Sequence, residues 1–219
     1  MVSPMPNLSE IWPLFDLTLR TPRLTLRPMR DEDLAGLADA AVAGIHDPAV
    51  MPFGVPWTDA PKGDLVRNLA QYQWMLRTKV AQDNWHVAFA VLLDGRVIGS
   101  QDLSAVAFST RKTVETGSWL TRESQGNGLG KEMRAAMLMF AFDYLGADFA
   151  ETSAAAWNAA SIGVSKAVGY VPNGVHRASR RAGQVNDEIH FRLTSESLVR
   201  PEWELAVNGF EPVRSQLLG

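Results

Sequence analysis

Gly126, Gly128 and Gly130 alternate in the segment Gln125-Gly-Asn-Gly-Leu-Gly-Lys131, directly ahead of a helix-like run. Glycine reaches backbone conformations closed to other residues and lets a ligand come close to the main chain. A turn that opens a helix also aims unpaired N–H groups at one point, where a phosphate can sit. The chemistry expected here is capture of a phosphate-bearing ligand by main chain. A P-loop needs a glycine five residues before its Gly-Lys pair and Ser or Thr after it; those positions hold Gln125 and Glu132. A dinucleotide loop needs G-x-G-x-x-G, and its third glycine would fall on Lys131 or Met133. A kinase loop needs H-R-D and D-F-G downstream, and the sequence has neither. What remains is Q-x-x-G-x-G on Gln125, Gly128 and Gly130, either a phosphate loop of another kind or a turn with no ligand.

The elements that must position this loop are readable around it. Upstream, Glu115-Thr-Gly-Ser-Trp-Leu120 reads as a strand. Downstream, Met133, Ala136, Met137, Phe140, Ala141, Tyr144 and Leu145 form one apolar helix face. Phe149–Ser153 is a short strand, and Asn158-Ala-Ala-Ser161 opens another helical run ending at Gly169-Tyr170. Earlier, Leu24–Arg27 alternates as a strand, and Asp31, Glu32 and Asp33 suit a helix N-terminus. A proline-rich loop spans residues 44–63, and a second helix starts at Asp64. Trp85–Val91 and Arg96–Asp102 predict a hairpin around Asp94-Gly95. The last strand is Gln184–Leu193, preceded by a turn at Arg180-Arg-Ala-Gly183. Residues 1–17 read as a leader and 195–219 as a tail. The order β-α-α-β-β-β-α-β-α-β-β predicts an α+β class with one mixed sheet and helices on both faces.

Taken together, Gln125-x-x-Gly128-x-Gly130, the strand Glu115–Leu120, Asn158-x-x-Ser161 with Gly169-Tyr170, and Thr21–Pro28 with Asp31–Leu34 resemble the GNAT superfamily of acyl-CoA N-acyltransferases, in its RimJ/RimL-like branch. The resemblance covers roughly residues 20–195 and extends more loosely to an actinobacterial succinyltransferase-like member. It implies a mostly antiparallel sheet in which the fourth and fifth strands splay apart. CoA would lie in the gap, here between Glu115–Leu120 and Phe149–Ser153. The reaction implied is direct acyl transfer from acetyl-CoA or succinyl-CoA to a protein N-terminus, a lysine or a small amine. The alternative is a CoA-binding regulatory module without catalysis.

The resemblance also assigns residues. Main-chain N–H groups of Gln125, Gly126, Asn127, Gly128, Leu129, Gly130 and Lys131 would hold the pyrophosphate, with added charge from Lys131. The backbone at Leu120 and the side chain of Asn158 would bond the pantetheine arm; Asn158 also suits a helix N-cap. Glu115 would be the general base, acting through a water, and burial would make it a better base near neutral pH. Ser161 would return a proton to the CoA sulfur. Ser118 replaces the aromatic usual at its position and leaves room for an acyl group larger than acetyl. Arg180 and Arg181 could meet a carboxylate on such a group. Phe53 and Trp57 could wall the acceptor site, and His46 and His176 fall in candidate loops that could reach it. Tyr170 reads as a packing residue.

Composition sets bounds. The 219 residues suffice for one sizeable acyltransferase domain over 1–219. A net charge of −3 and a pI near 5.8 give no footprint for nucleic acid. No apolar run approaches the length of a membrane span, and the N-terminus does not read as a signal peptide, so a cytoplasmic protein is expected. The absence of cysteine excludes a thiol nucleophile. His46, His86, His176 and His190 show no helical pairing for a metal, and none is expected. The leader and tail, outside the shared fold, leave surface for a homo-oligomer.

Overall fold

In chain order, the computed structural model, which describes residues 6–218, contains α1 (Leu8–Ile11), β1 (Thr18–Arg20), β2 (Leu24–Pro28), α2 (Leu34–Ala43), α3 (Lys62–Thr78), β3 (Trp85–Leu93), β4 (Arg96–Ala105), α4 (Phe108–Arg111), β5 (Thr113–Leu120), α5 (Leu129–Met139), β6 (Phe149–Ala155), α6 (Ala159–Ala167), β7 (Val171–Arg181), β8 (Gln184–Thr194), β9 (Ala206–Asn208) and α7 (Phe210–Leu218). A π-helical turn, Phe140–Tyr144, prolongs α5.

The strands form one nine-stranded sheet in the order β7-β8-β6-β5-β4-β3-β2-β1-β9. Only the β5/β6 pair is parallel; the other seven pairings are antiparallel. This is the mixed α+β sheet expected from the element order. The β3/β4 hairpin turns at Asp94 and Gly95, both with positive φ (50° and 78°). That is the conformation in which a two-residue turn matches the strand twist.

Apolar patterning divides the helices between the two faces. On one face Leu37 and Ala41 of α2 and Leu65 and Leu69 of α3 pack on Ala90, Leu92 and Val97. On the other, α5 packs on Phe89, Leu103 and Val114. Phe140 is fully buried, edge-to-face with Phe89 at 6.4 Å and with Phe210 at 5.6 Å. Each such side chain contributes about 1.5–3 kcal/mol by burial.

The segments outside residues 20–195 join this architecture. β9 pairs with β1, with Leu19 opposite Val207. Leu14, Leu17, Leu205, Val213 and Leu217 belong to the core around α5. Arg200 holds Asp143 in a two-pronged ion pair at 2.8 and 2.7 Å. The leader and tail expected outside the shared fold therefore cover the C-terminal half of α5. Several of their residues are thus committed within the chain, while Leu8, Ile11 and Val199 stay exposed. No helix among the described residues is long and apolar enough to cross a membrane.

Candidate active site

β5 and β6 pair only through Thr113↔Phe149, Val114↔Ala150 and Glu115↔Glu151. Beyond that point β5 stays with β4 as far as Leu120↔Gly99. β6 stays with β8 as far as Ala155↔Glu188. Each strand follows its other neighbour, so the two part and leave a wedge-shaped gap. Its closed end is stitched by Thr152 Oγ1, which donates to the Thr116 carbonyl at 2.8 Å. Its open end lies between Leu120 and Ala155. The expected gap is present, but the first residues assigned to it are still paired.

The glycine loop sits at the open end, immediately after β5. Gly126 and Gly128 both have φ +78°, and Gly128 is the N-cap of α5. An L-residue in that region is strained by about 1–2 kcal/mol. Gly130 lies inside the helix. A methyl group there would stand 3.6 Å from Val164 Cγ2 on α6 and 4.0 Å from Leu120 Cδ1, at the mouth of the gap. The loop from Gly126 to Gly130 thus opens α5 beside that mouth.

The Gln125 side chain is engaged within the protein. Its Nε2 donates to the Ile45 carbonyl at 2.8 Å and the Leu120 carbonyl at 2.9 Å, bracing the loop against the end of β5. The Leu120 carbonyl is therefore already engaged. Lys131 is exposed on the first turn. The cation built into the loop is Arg23, which sequence reasoning missed. Arg23 Nη1 donates to the Asn127 carbonyl at 3.0 Å, and its Nε to Glu132 at 2.6 Å. Glu132 is buried and also accepts from Thr21 Oγ1 at 2.6 Å. The contact joins residues more than 100 positions apart, so no local pattern announces it.

Asn158 caps α6 by accepting from the Ser161 N–H at 3.1 Å. Ser161 is half-buried on the first turn, just beyond the end of β6. Both residues stand at the open end of the gap.

Alternation along β5 sends Glu115, Gly117 and Trp119 to the face covered by α2 and α3. Glu115 is exposed, not partly buried as expected, and lies at the closed end, beside Glu151. Glu151 is neutralised by Arg192 at 2.7 and 2.9 Å. Next to Glu115 on this face is a group that sequence reasoning passed over. Asp102 pairs in register with Gly117, level with the start of the gap. It accepts from Ser100 Oγ at 3.2 Å and lies 3.2 Å from His86 Nε2. Tyr72 of α3 meets the His86 ring edge-on at 6.4 Å. Burial, reinforced by the Asp102 charge, pushes the Tyr72 hydroxyl up to about 12. The register of β3, β4 and β5 could have placed Asp102 there.

Phe53 and Trp57 do lie on this side. They run with Trp119 as an aromatic ladder, 5.1 Å and 5.8 Å between successive centroids. His46 starts the ladder against Phe53 and is held by Thr58 Oγ1 at 2.7 Å, so it is structural. His176 is in β7, not a loop, and its ring packs on His190 at 4.3 Å. Among the described residues no group of His, Asp and Glu could hold a metal.

Arg180 and Arg181 are not the free turn arginines expected. Both belong to β7, at a register shift against β8 between Ser179 and Arg181, and they take different partners. Arg180 is buried and pairs with Glu188 at 2.6 Å. Arg181 grips Asp59 twice at 2.7 Å and donates to the Pro48 carbonyl at 2.9 Å. That clamp ties the tip of the β7/β8 hairpin to the loop between α2 and α3. Hydrogen bonding from Arg181 holds the Asp59 carboxyl below its usual range.

On the α5 face, the space beside Ser118 is filled. Arg134 Nη2 donates to Ser118 Oγ at 2.9 Å and Nη1 to Thr152 Oγ1 at 3.3 Å. Its guanidinium thus bridges the two diverging strands. Tyr170 lies beside it and shares a 3.1 Å hydrogen bond with Thr116 Oγ1. Tyr170 is therefore part of a polar cluster as well as a packing residue. Burial raises the Tyr170 hydroxyl and lowers Arg134. A guanidinium stays charged even so.

An acetyltransferase (GNAT) domain model matches residues 23–171. Among solved structures the chain is similar to RimJ of Mycobacterium smegmatis in complex with CoA-disulfide. The two are 20% identical over 86% of this chain and 91% of that chain, with a TM-score of 0.68. It is similar to RimL, a ribosomal L7/L12 alpha-N-protein acetyltransferase in complex with coenzyme A, at 15% identity over 81% and 97%, TM-score 0.65. A GNAT-family acetyltransferase from Bacillus anthracis gives 16% identity over 82% and 99%, TM-score 0.63. At these identities the likeness to the solved structures is one of fold.

Proposed function

This chain belongs to the acetyltransferase (GNAT) family, and from that premise we propose that it is a cytoplasmic N-acyltransferase carrying an acyl group from CoA directly to an amine. The observation that carries the reading is the wedge between β5 and β6 with the left-handed glycine loop at its open end. Acyl-CoA is a substrate, its pyrophosphate on the N–H groups from Gln125 to Lys131 and its arm along β5 past Leu120. From Leu120 to Gly117 is about 10 Å along an extended strand, so the acyl group reaches the closed end. The donor is acetyl-CoA or succinyl-CoA. The acceptor is an amine such as a protein N-terminus, in keeping with the RimL structure; a lysine or a small amine is the alternative.

The amine nitrogen attacks the thioester carbonyl carbon, forming the new C–N bond and an oxyanion held by strand N–H groups. Collapse breaks the C–S bond and releases the thiolate. Glu115, through a water, takes the proton that the amine gives up. Ser161 returns one to the sulfur, and Asn158 orients the arm. A second proton route rests on Asp102, which is level with Gly117 and backed by His86.

Two measurements test this. Thermal melting with CoA at about 100 times its Kd should add about 2.7 kcal/mol, a rise of roughly 5–10 °C for a chain of this size. An equal rise with ATP or NAD overturns the reading. Turnover of E115Q should fall about 10²- to 10⁴-fold with CoA binding unchanged. If D102N falls that far and E115Q does not, the proton route is through Asp102. If neither does, the chain binds CoA without transferring from it by these residues.

A further inference from the structure

A buried cation bridges the two strands where the gap closes. Arg134 is 4% exposed. The other arginine buried to the same extent, Arg180, has Glu188 at 2.6 Å. Arg134 makes no ion pair among the described residues; its neighbours are the neutral hydroxyls of Ser118, Thr152 and Tyr170. Its Nε has no partner at all. Glu151, one residue before Thr152, faces the other side of the sheet and is held by Arg192. A buried cation surrounded only by neutral groups is costly, because the charge gives up water and gains no counter-ion.

Position supplies the counter-ion. The guanidinium spans β5 and β6 where they diverge, at the depth of Ser118 and Thr152. A donor anchored by phosphates at the glycine loop delivers its acyl end to that depth. Ser118 is the small residue that leaves space there, and the structure fills the space with the arginine's polar head. An acetyl methyl group gains nothing from such a neighbour, whereas a carboxylate gains charge-assisted, two-pronged bonds.

We propose that Arg134, with Ser118, Thr152 and Tyr170, is a receptor for an acyl group ending in a carboxylate, so that the donor is the CoA thioester of a short dicarboxylic acid such as succinate. This rests on the acyl-CoA reading above. Arg180 and Arg181, already paired with Glu188 and Asp59, do not fill this role.

The test is calorimetric titration of the full chain with CoA, acetyl-CoA, succinyl-CoA and butyryl-CoA. Butyryl matches succinyl in chain length but lacks the carboxylate, which separates room from charge. Succinyl-CoA should bind about ten- to a hundredfold tighter than butyryl-CoA, the range of a charge-assisted hydrogen bond. In R134M that advantage should vanish while CoA and acetyl-CoA bind as before, which also shows that the variant is folded. Equal binding of succinyl- and butyryl-CoA by the natural chain overturns the proposal without need of the variant. Succinyl preference that survives in R134M overturns the assignment to Arg134. Failure of every CoA compound to bind instead removes the acyl-CoA reading itself.

Discussion

The three glycines of the loop answer separately whether it cradles phosphate or only turns the chain. Gly126 and Gly128 have φ +78°, so alanine at either is strained by about 1–2 kcal/mol. In a chain of this size that lowers the apo melting temperature by roughly 2–8 °C, whether or not a ligand binds. Gly130 differs. It is helical, and a methyl group there meets Val164 Cγ2 at 3.6 Å, an ordinary van der Waals contact. Alanine is a better helix former than glycine by about 0.8–1 kcal/mol. G130A should therefore melt no lower than the natural chain. The methyl group would, however, stand between Val164 and Leu120, where the proposed pantetheine arm would enter. CoA affinity of G130A should fall at least about tenfold, the equivalent of some 1.4 kcal/mol. The assays are differential scanning fluorimetry without ligand and calorimetric titration with CoA. If G130A binds CoA as the natural chain does, the arm does not enter between Val164 and Leu120 and the reasoning about the mouth of the gap fails.

E132A should lower stability by about 1–3 kcal/mol, read as a urea midpoint shift with unchanged slope. The cost stays below that of an orphaned buried charge because Arg23 is half-exposed and can return to water. CoA affinity should fall with it, since Arg23 would no longer pin the Asn127 carbonyl. For the Asp59–Arg181 clamp, a carboxyl held low in the folded chain adds stability above its unfolded value near 3.9 and loses it as pH falls through the folded one. The stability difference between the natural chain and D59N should be small, flat above about pH 5, and closed at acid pH. A difference that grows on acidification would refute the clamp's titration. Tyr72, raised to about 12 by burial, keeps its proton in the folded chain while the unfolded chain releases it near 10. Stability should therefore fall as pH rises between those values, and Y72F should remove that component of both the slope and the phenolate absorbance titration.

What the sequence made legible was local. The alternating glycines, the strand before them and the helix after them are contiguous, so turn chemistry and periodicity identify each. Their order then implies a strand pair whose partners pull apart. The arginines show where this kind of reading stops. Arg180-Arg181 ahead of Ala-Gly reads as a wet turn. In the structure β7 continues through both residues, with a register shift against β8 at Arg180, and one pairs with Glu188 and the other with Asp59. Arg134 was hidden for a different reason. Residue 134 lies on the apolar stripe, three before Met137, seven before Ala141 and eleven before Leu145, so helix periodicity could have placed it inward; its charge alone makes it read as solvated. It is buried because α5 turns it onto the sheet, where it reaches both β5 and β6 as they part. Where β5 and β6 separate, a neighbouring helix must send something long into the wedge. A leucine or methionine would fill that space without charge. An arginine fills it at a cost in desolvation that three hydroxyls do not offset, and so its presence points to the chemistry of what arrives there. Ser118 alone, seen in sequence, indicates room. Only with Arg134 against it does the room acquire a sign, and it is on that sign that the proposal of a carboxylate rests.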